Sequence, residues 1–276
     1  MKFSVLVANY NNGEFFRDCY QSIVSQSYDN WEVIILDDKS TDNSLQVIRE
    51  LIGDDSRFRI YENAENAGVG VIKSKLIKLA TGDICGFVDP DDTILPTAIE
   101  KSVGIFSKHK KTVLTYSRFM KCDKDLHPLA PFQSAKQVVN NNPYFFNCPI
   151  VINHFVCFRR DVYFQTEKIN PELRISEDQD LYLKMYEKGN VKFISDTNYL
   201  YRTHAGGISQ NDNKKKSYEL WGLVIWNAMQ RRGLKKIHGK KIPEIYTNAQ
   251  EIFDLLKYQN SYFYRIRKRI LAAFYN

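Results

Sequence analysis

Short apolar runs alternate with helically spaced stretches over roughly the first hundred residues, and this alternation limits the chain to very few architectures. Phe3 to Ala8, Trp31 to Leu36, Phe58 to Glu62 and Ile84 to Val88 read as strands. Between them, Glu14 to Ser27 repeats apolar pairs every four positions, at Phe15/Phe16, Cys19/Tyr20 and Ile23/Val24. Leu45, Ile48 and Leu51 line a second helix opened by Ser40-Thr41-Asp42, with Thr41 or Asp42 as its cap. Val69, Ile72, Leu76, Leu79 and Ala80 line a third, which Gly82 is placed to close. Parallel strands need crossover connections about as long as a helix, so this pattern predicts an α/β sheet with helices on its faces. A helix through Leu95, Ile99, Val103 and Phe106 and a strand from Thr112 to Met120 continue it.

Two of these strands end in acids, at Asp37-Asp38 and at Asp89-Pro90-Asp91-Asp92. Ligands of open α/β sheets bind beyond the carboxyl ends of the strands, so Asp37, Asp38, Asp89, Asp91 and Asp92 are expected to face one cleft. The tetrad puts three carboxylates within four residues. Such neighbours raise one another's pKa unless a cation or a donor is close. Mg²⁺ or Mn²⁺ held by one or two carboxylates and substrate phosphates meets that need. A cap on a helix starting near Thr93 to Pro96 is the simpler use, and it accounts for one acid of the three.

At 276 residues and 43% hydrophobic composition the chain has room for one large α/β domain with appendages, or two modest domains. Its N-terminal apolar run is too short for a signal peptide, and no segment approaches the ~18–20 apolar residues of a membrane span, so a cytoplasmic location is expected. Cys19, Cys85, Cys122, Cys148 and Cys157 form an odd set without a CxxC pair, which points to neither disulfides nor zinc. A formal charge of +7 favours anionic partners: nucleic acid, a nucleotide or an anionic membrane face. Further on, 123–149 is polar and irregular, marked by Asn140-Asn141-Asn142-Pro143. Val156 to Arg160 follows as a strand, Glu177 to Lys188 as a helix ended by Gly189, and Val191 to Arg202 as a strand. From Lys214 the pattern is helical to the end.

Six segments then fall in a telling order. They are Ser4-Val5-Leu6-Val7-Ala8-Asn9-Tyr10-Asn11, Ile35-Leu36-Asp37-Asp38-Lys39-Ser40-Thr41-Asp42, Asn66-Ala67-Gly68 with Ala80-Thr81-Gly82-Asp83, Phe87-Val88-Asp89-Pro90-Asp91-Asp92, Ser176-Glu177-Asp178-Gln179-Asp180, and Tyr201-Arg202-Thr203-His204 through Ser209. Over residues 1–209 they resemble the inverting nucleotide-sugar glycosyltransferases of family 2, which have the GT-A fold. Ala8 stands where proline is common, Lys39 where the DDGSTD signature has glycine, and Lys73 where arginine is frequent.

The resemblance implies a GT-A (Rossmann-like) wound mixed sheet flanked by helices, with a C-terminal helical extension. Its catalytic domain would be 1–209, split into a nucleotide-binding half (1–110) and an acceptor-side half (111–209), with a basic extension over 210–276. It implies a metal-dependent transferase that moves a sugar from a UDP-sugar to a hydroxyl of a glycan or lipid-linked acceptor in bacterial surface-polysaccharide synthesis. The nucleotide contacts would be Ala8, Tyr10, Asp38, Lys73 and Asp91, with Asp38 accepting from the uracil imide, as an ionised carboxylate must. Asp92, with Asp91 and His204, would hold Mn²⁺ or Mg²⁺ at this DxD motif. Asp89, Glu177 and Arg202 are further candidates. Asp178 would be the general base, which requires hydrogen-bond reach of the acceptor hydroxyl. Acceptor contacts are expected from 123–155.

Simpler readings stand beside these. Glu177 and Asp178 also suit the first turn of a helix through its dipole, and a lone His204 is commonly structural. Gly206-Gly207 suggests a mobile loop. Gly68-Val69-Gly70-Val71-Ile72-Lys73 imitates a dinucleotide fingerprint but lacks its third glycine, which argues against an oxidoreductase. A subunit that binds nucleotide sugar without turnover would keep the acids of the strand ends and have no need of Asp178.

Positive charge gathers late, at Lys214-Lys215-Lys216, Arg231-Arg232, Lys235-Lys236, Lys240-Lys241 and Arg265 to Arg269, among Trp221, Trp226, Tyr258 and Tyr262. This mixture suits an anionic bilayer surface, hence peripheral association with the inner face of the cytoplasmic membrane. It equally suits two solvated helices packed on the domain. No motif that reads nucleic acid accompanies the charge, so nucleic acid is not an expected partner.

Overall fold

The computed structural model describes residues 1–204, 214–262, 264, 266, 270 and 271. The expected α/β alternation is present: β1 (Phe3–Asn9), α1 (Phe16–Val24), β2 (Trp31–Asp37), α2 (Ser44–Ile52), β3 (Phe58–Glu62), α3 (Val69–Leu79) and β4 (Ile84–Phe87). β5 (Thr93–Ile94), α4 (Ala98–Lys108), β6 (Thr112–Cys122), β7 (Pro128–Pro131), β8 (Cys157–Arg159), α5 (Arg160–Tyr163), α6 (Glu177–Tyr186) and β9 (Asn190–Arg202) follow. Among the described residues the strands join in the order β3-β2-β1-β4-β8-β6-β9-β5, with β7 on β6. β1 to β4 run parallel, β8 is antiparallel to both its neighbours, and β6 and β9 are parallel to each other.

Both faces of β1 and β2 are buried, which explains their continuous apolar runs. Val5, Val7, Val33 and Ile35 pack under α1, α2 and α4. Leu6, Ile34 and Leu36 face α3 and share one core with the apolar side of α6. The two cores follow from the period-two alternation of a strand.

Gly82 does not close α3, which ends at Leu79 with Ala80 already extended. A Cβ on Gly82 would lie 2.6 Å from Ser4 Oγ and 2.8 Å from Ser4 N, so glycine is required there by close approach to β1. Beside it, Thr81 donates to the Glu32 carboxylate through both its N–H (2.6 Å) and its hydroxyl, and Ser4, Lys2 and Arg59 donate to the same group. The Ala80-Thr81-Gly82 turn is thereby fastened to β1 and β2.

The segment 123–149 is irregular, as expected, and much of it is buried. Val138, Val139, Phe145 and Phe146 enter the core. Its amides take the place of a strand along β9: Asn140 Oδ1 accepts from the Val191 N–H (2.7 Å) and Gln137 Oε1 from the Phe193 N–H (2.9 Å). This is why a polar sequence sits inside the domain.

The expectation of helix from Lys214 to the end is corrected. α7 (Lys214–Arg231) stops ahead of Gly233, at φ +62°; a hairpin of β10 (Lys236–Ile237) and β11 (Lys240–Lys241) turns at His238 and Gly239, and α8 (Ala249–Leu256) runs on into a 3₁₀ turn, Lys257–Asn260. Residues in the left-handed region end a helix, and the periodicity of the apolar residues does not register them. Val224, Ile225, Ala228 and Met229 of α7 share one core with Leu181 and Met185 of α6. No helix among the described residues is long and apolar enough to cross a membrane. Gly206-Gly207 lies outside the described residues.

Candidate active site

A cleft of about 490 Å³ opens at the carboxyl ends of β1 and β4 and is closed by the first turns of α6 and α7. Parallel pairing of β1 with β4, up to Leu6 opposite Phe87, carries Ala8 and Asp89 to the same wall. Pairing of β5 with β9, Thr93 opposite Leu200, brings Tyr199, Tyr201 and Arg202 against the Asp89-Pro90-Asp91-Asp92 turn.

The three acids of the turn separate in role. Asp92 is 1% exposed; its Oδ1 accepts from the Arg202 N–H and its Oδ2 from the Tyr199 hydroxyl, both at 2.7 Å. Burial, then Asp89 and Asp91, push its carboxyl well above the ordinary range. Asp92, expected to lead the metal set, is thus engaged with β9. Asp91 Oδ2 instead lies 2.9 Å from His204 Nε2, and the imidazole packs on Phe15 at 4.6 Å. Burial, then Asp89, raises the Asp91 carboxyl, and His204 works against that rise. Asp89 faces the cleft, its N–H donating to the Tyr199 hydroxyl at 3.2 Å.

Arg202 is occupied. Its Nε donates to the Asp91 carbonyl at 2.6 Å, its Nη1 to the Lys124 carbonyl and its Nη2 to the Asp18 carboxylate at 2.6 Å, with the guanidinium 4.7 Å above Phe15. It positions the Asp91 backbone, and a diphosphate contact would require it to leave these partners.

Across the cleft, α6 begins after Ser176, whose φ of +66° places a non-glycine residue in the left-handed region. Glu177 Oε1 receives Lys73 Nζ of α3 at 2.6 Å. Burial disfavours the Lys73 cation, but Glu177, Asp89 and Asp178 outweigh it and raise its pKa. Asp178 is half-buried and accepts from the Gln179 N–H at 2.7 Å. Burial, then Glu177, pushes its carboxyl up to about 6, and Lys73 opposes the shift. α3 and the acceptor-side half meet because Gly70 has no side chain: a Cβ there would lie 2.4 Å from the Leu173 carbonyl oxygen.

Of the five strand-end acids expected to face one cleft, Asp89, Asp91 and Asp92 line it and Asp37 and Asp38 do not. Asp37 accepts from Asn9 Nδ2 (2.6 Å) and from the Ser40 N–H (2.8 Å) and hydroxyl (2.6 Å). Asp38 is 4% exposed and accepts from Asn63 Nδ2 and from the Ala67 and Gly68 N–H groups at the start of α3. Tyr10 is 44% exposed, and the cleft wall carries Asn12 in its place. Of 123–155, only His154 reaches the cleft. Its ring stacks on Tyr199 at 4.7 Å, and burial lowers its pKa to about 4. His154, Arg174, Tyr182 and Trp221 on this wall were not singled out as site residues by the sequence reading, because no local motif marks them.

The donor types here suit Mn²⁺ or Mg²⁺: Asp91 and Asp89 line the cleft and offer hard oxygens, His204 lies against Asp91 and offers an imidazole, and the raised Asp91 carboxyl marks negative charge that a cation would balance. Among the described residues, the trio whose ligand atoms all lie within 4.8 Å of one another is elsewhere: Asp123, Asp125 and His127, on the β6–β7 turn. There Asp123 Oδ1 accepts the Asp125 and His127 N–H groups, which is turn geometry.

A wound sheet with a carboxylate turn at its strand ends, facing a second acidic centre across one cleft, defines a glycosyltransferase of GT-A type. The likeness to solved structures supports that fold: S. aureus TarS residues 1–349 with UDP-GlcNAc is 18% identical at a TM-score of 0.70, over 93% of this chain and 70% of that one. Residues 4–167 match Glycosyl transferase family 2, and the chain belongs to that family. The chondroitin synthase of Escherichia coli is 25% identical over 240 residues, which are 84% of this chain and 33% of that one, so the chain spans a third of that relative's length. An Escherichia coli UDP-Glc:alpha-D-GlcNAc-diphosphoundecaprenol beta-1,3-glucosyltransferase, WfaP, is 28% identical over 213 residues, 77% of this chain and 81% of that one.

Proposed function

We propose that this protein is a metal-dependent inverting transferase that moves a hexosyl or N-acetylhexosaminyl group from a UDP-sugar to a hydroxyl of a glycan or lipid-linked acceptor during synthesis of a surface polysaccharide. One observation carries this reading: Asp178, with its carboxyl raised to about 6, stands in the same cleft as Asp89 and Asp91, and His204 lies against Asp91. The WfaP name, which includes UDP-Glc and a diphosphoundecaprenol acceptor, and the UDP-GlcNAc bound to TarS support the donor class.

In this reading Asp178 accepts the proton of the acceptor hydroxyl. The freed oxygen attacks the anomeric carbon from the face opposite the diphosphate, whose bond to that carbon breaks, and the configuration inverts. Asp91 and His204, with Asp89, would hold Mn²⁺ or Mg²⁺, which when bound would supply Lewis-acid stabilisation of the diphosphate leaving group. Arg174 and Lys214 add positive charge to the cleft wall, and Lys73 reaches the diphosphate only by leaving Glu177. Tyr182 and Trp221 offer aromatic faces to the acceptor. Residues 1–209 form the catalytic unit and 210–276 its extension. Ile245, Tyr262 and Ile270 are exposed on that extension and support peripheral contact with a cytoplasmic membrane surface, which flotation with anionic vesicles tests.

The decisive experiment incubates purified protein and Mn²⁺ with a panel of UDP-sugars, with and without glycan acceptors, and measures released UDP. Release that increases with acceptor supports the transferase. Tight UDP binding with no release from any donor, acceptor present, favours a nucleotide-sugar-binding subunit.

A further inference from the structure

A second concavity lies at the far end of α6. Its first part, about 780 Å³, is lined by Asn142, Gln165, Thr166, Tyr186, Arg231 and Arg232 among others, and it adjoins a second part of about 490 Å³ at Asn141 and Lys188. That second part lies against the start of β6, at the edge of the sheet opposite the strand ends that hold the acids. Asp178 and Glu187 mark the two ends of α6, so one helix length, roughly 14 Å, separates the transfer site from this groove.

Its chemistry is basic and rich in amides. Seven basic side chains and three acidic ones line the two parts; Lys184 is paired with Asp180 from outside the lining, and the remaining six basic groups still outnumber the three acids. Glu187 receives both arginines, Arg231 Nε at 2.9 Å from Oε2 and Arg232 Nε at 2.9 Å from Oε1, and Glu167 Oε2 lies 3.8 Å from Arg231 Nη1. Arg232 is held with its side chain 8% exposed, and its Nη2 makes no hydrogen bond among the described residues. Lys110, Lys111 and Lys188 are exposed on the same wall, and among the described residues none of them is in an ion pair. Asn141, Gln165 and Asn190 supply paired donors and acceptors of the kind that read hydroxyl groups. The exposed apolar residues that would enter a bilayer, such as Ile245 and Tyr262, do not line it.

We propose that this groove is a second saccharide site, which holds an anionic stretch of the acceptor glycan, one bearing carboxylate or phosphate groups, while its growing end sits at Asp178. A concave, cationic, amide-lined surface fits a polyanionic sugar chain, whereas a lipid surface calls for a convex apolar one. Engagement at two sites joined by one chain raises the effective concentration of the acceptor end at the cleft. The inference rests on the transferase reading, and it predicts that longer anionic acceptors are better substrates through a lower KM.

Calorimetry on the full chain tests it with a hyaluronan decasaccharide, a poly(glycerol phosphate) chain of similar length, and maltodecaose as the neutral control. At least one anionic probe should bind about tenfold more tightly than the neutral one, an advantage that added salt reduces. The double variant Lys111→Glu/Lys188→Glu should raise that Kd by about tenfold and leave UDP affinity unchanged. Equal affinity for the neutral and both anionic probes, or no effect of the double variant, overturns the proposal. So does a double variant that loses only its binding to phosphatidylglycerol vesicles, which would assign the groove to lipid. Absence of UDP release with groove binding retained removes the transferase reading and leaves the saccharide site standing.

Discussion

Lys73 Nζ and Glu177 Oε1 lie 2.6 Å apart, a bond between residues 104 positions apart in sequence that ties α3 of the nucleotide half to the first turn of α6. Both side chains are about nine-tenths buried, 11% and 9% exposed. Removing one partner of such a pair leaves the other charge buried and alone. The ion pair thereby fixes the position and the electrostatic surroundings of Asp178, next along α6.

Asp178→Asn keeps the shape of the side chain and removes its basicity. It should lower kcat by about 10²–10⁴, the scale of general-base catalysis, with UDP affinity retained in an equilibrium titration. Full turnover in this variant would remove Asp178 from the mechanism.

The Asp178 carboxyl, raised to about 6 by burial and by Glu177, predicts an ascending limb in kcat/KM with an apparent pKa near 6, since the base acts ionised. Because Lys73 holds that value down, Lys73→Met should move the limb to higher pH and weaken UDP binding. The stability contribution has the opposite sense. With the folded value above the ordinary 3.8, the folded state binds more protons between the two values, so the contribution is present below 3.8 and is lost as pH rises through 6. A pH–rate profile paired with thermal melts from pH 4 to pH 8 reads both.

Asp91 and Asp92 should respond differently to amidation. Asp91→Asn and His204→Ala should each weaken Mn²⁺ binding by about tenfold or more in the presence of UDP, read by electron paramagnetic resonance. In Asp92→Asn the amide oxygen still accepts from the Arg202 N–H and the amide nitrogen faces the Tyr199 hydroxyl, so Mn²⁺ affinity should change by less than about threefold. Loss of Mn²⁺ from Asp92→Asn with an unchanged Tm would return the metal to Asp92.

Lys39 adopts φ +64°, a left-handed conformation that penalises a Cβ. Its contact with Glu62 is an exposed pair at 3.7 Å, worth little. Lys39→Gly should therefore stabilise the fold by about 1 kcal/mol, less the added freedom of glycine in the unfolded chain, measured as a raised urea midpoint. A lowered midpoint would show that the strain is relieved elsewhere.

Much of the nucleotide half was legible because its signals are local. Apolar runs with period two and stripes with period 3.6 report burial directly, and β1 to β4 with α1 to α3 follow from them. The acidic turn and the Glu177-Asp178 helix start were visible as residue types in a known order. Less legible was anything set by partners distant in sequence. Gly70 and Gly82 read as a fingerprint residue and a helix end, and their purpose is contact with Leu173 and Ser4. The amides of 137–140 read as loop and instead complete the edge of β9.

The sequence by itself determined that an α/β sheet would bring acids to the ends of its strands, because strand and helix periodicities are properties of consecutive residues. Only the tertiary structure decided what each acid does. Asp37 and Asp38 are drawn into loop hydrogen bonds and Asp92 into β9, while Asp91 and His204, 113 positions apart, meet at 2.9 Å. A carboxylate's role depends on which donors surround it, and those donors arrive from other strands and helices through pairing and packing.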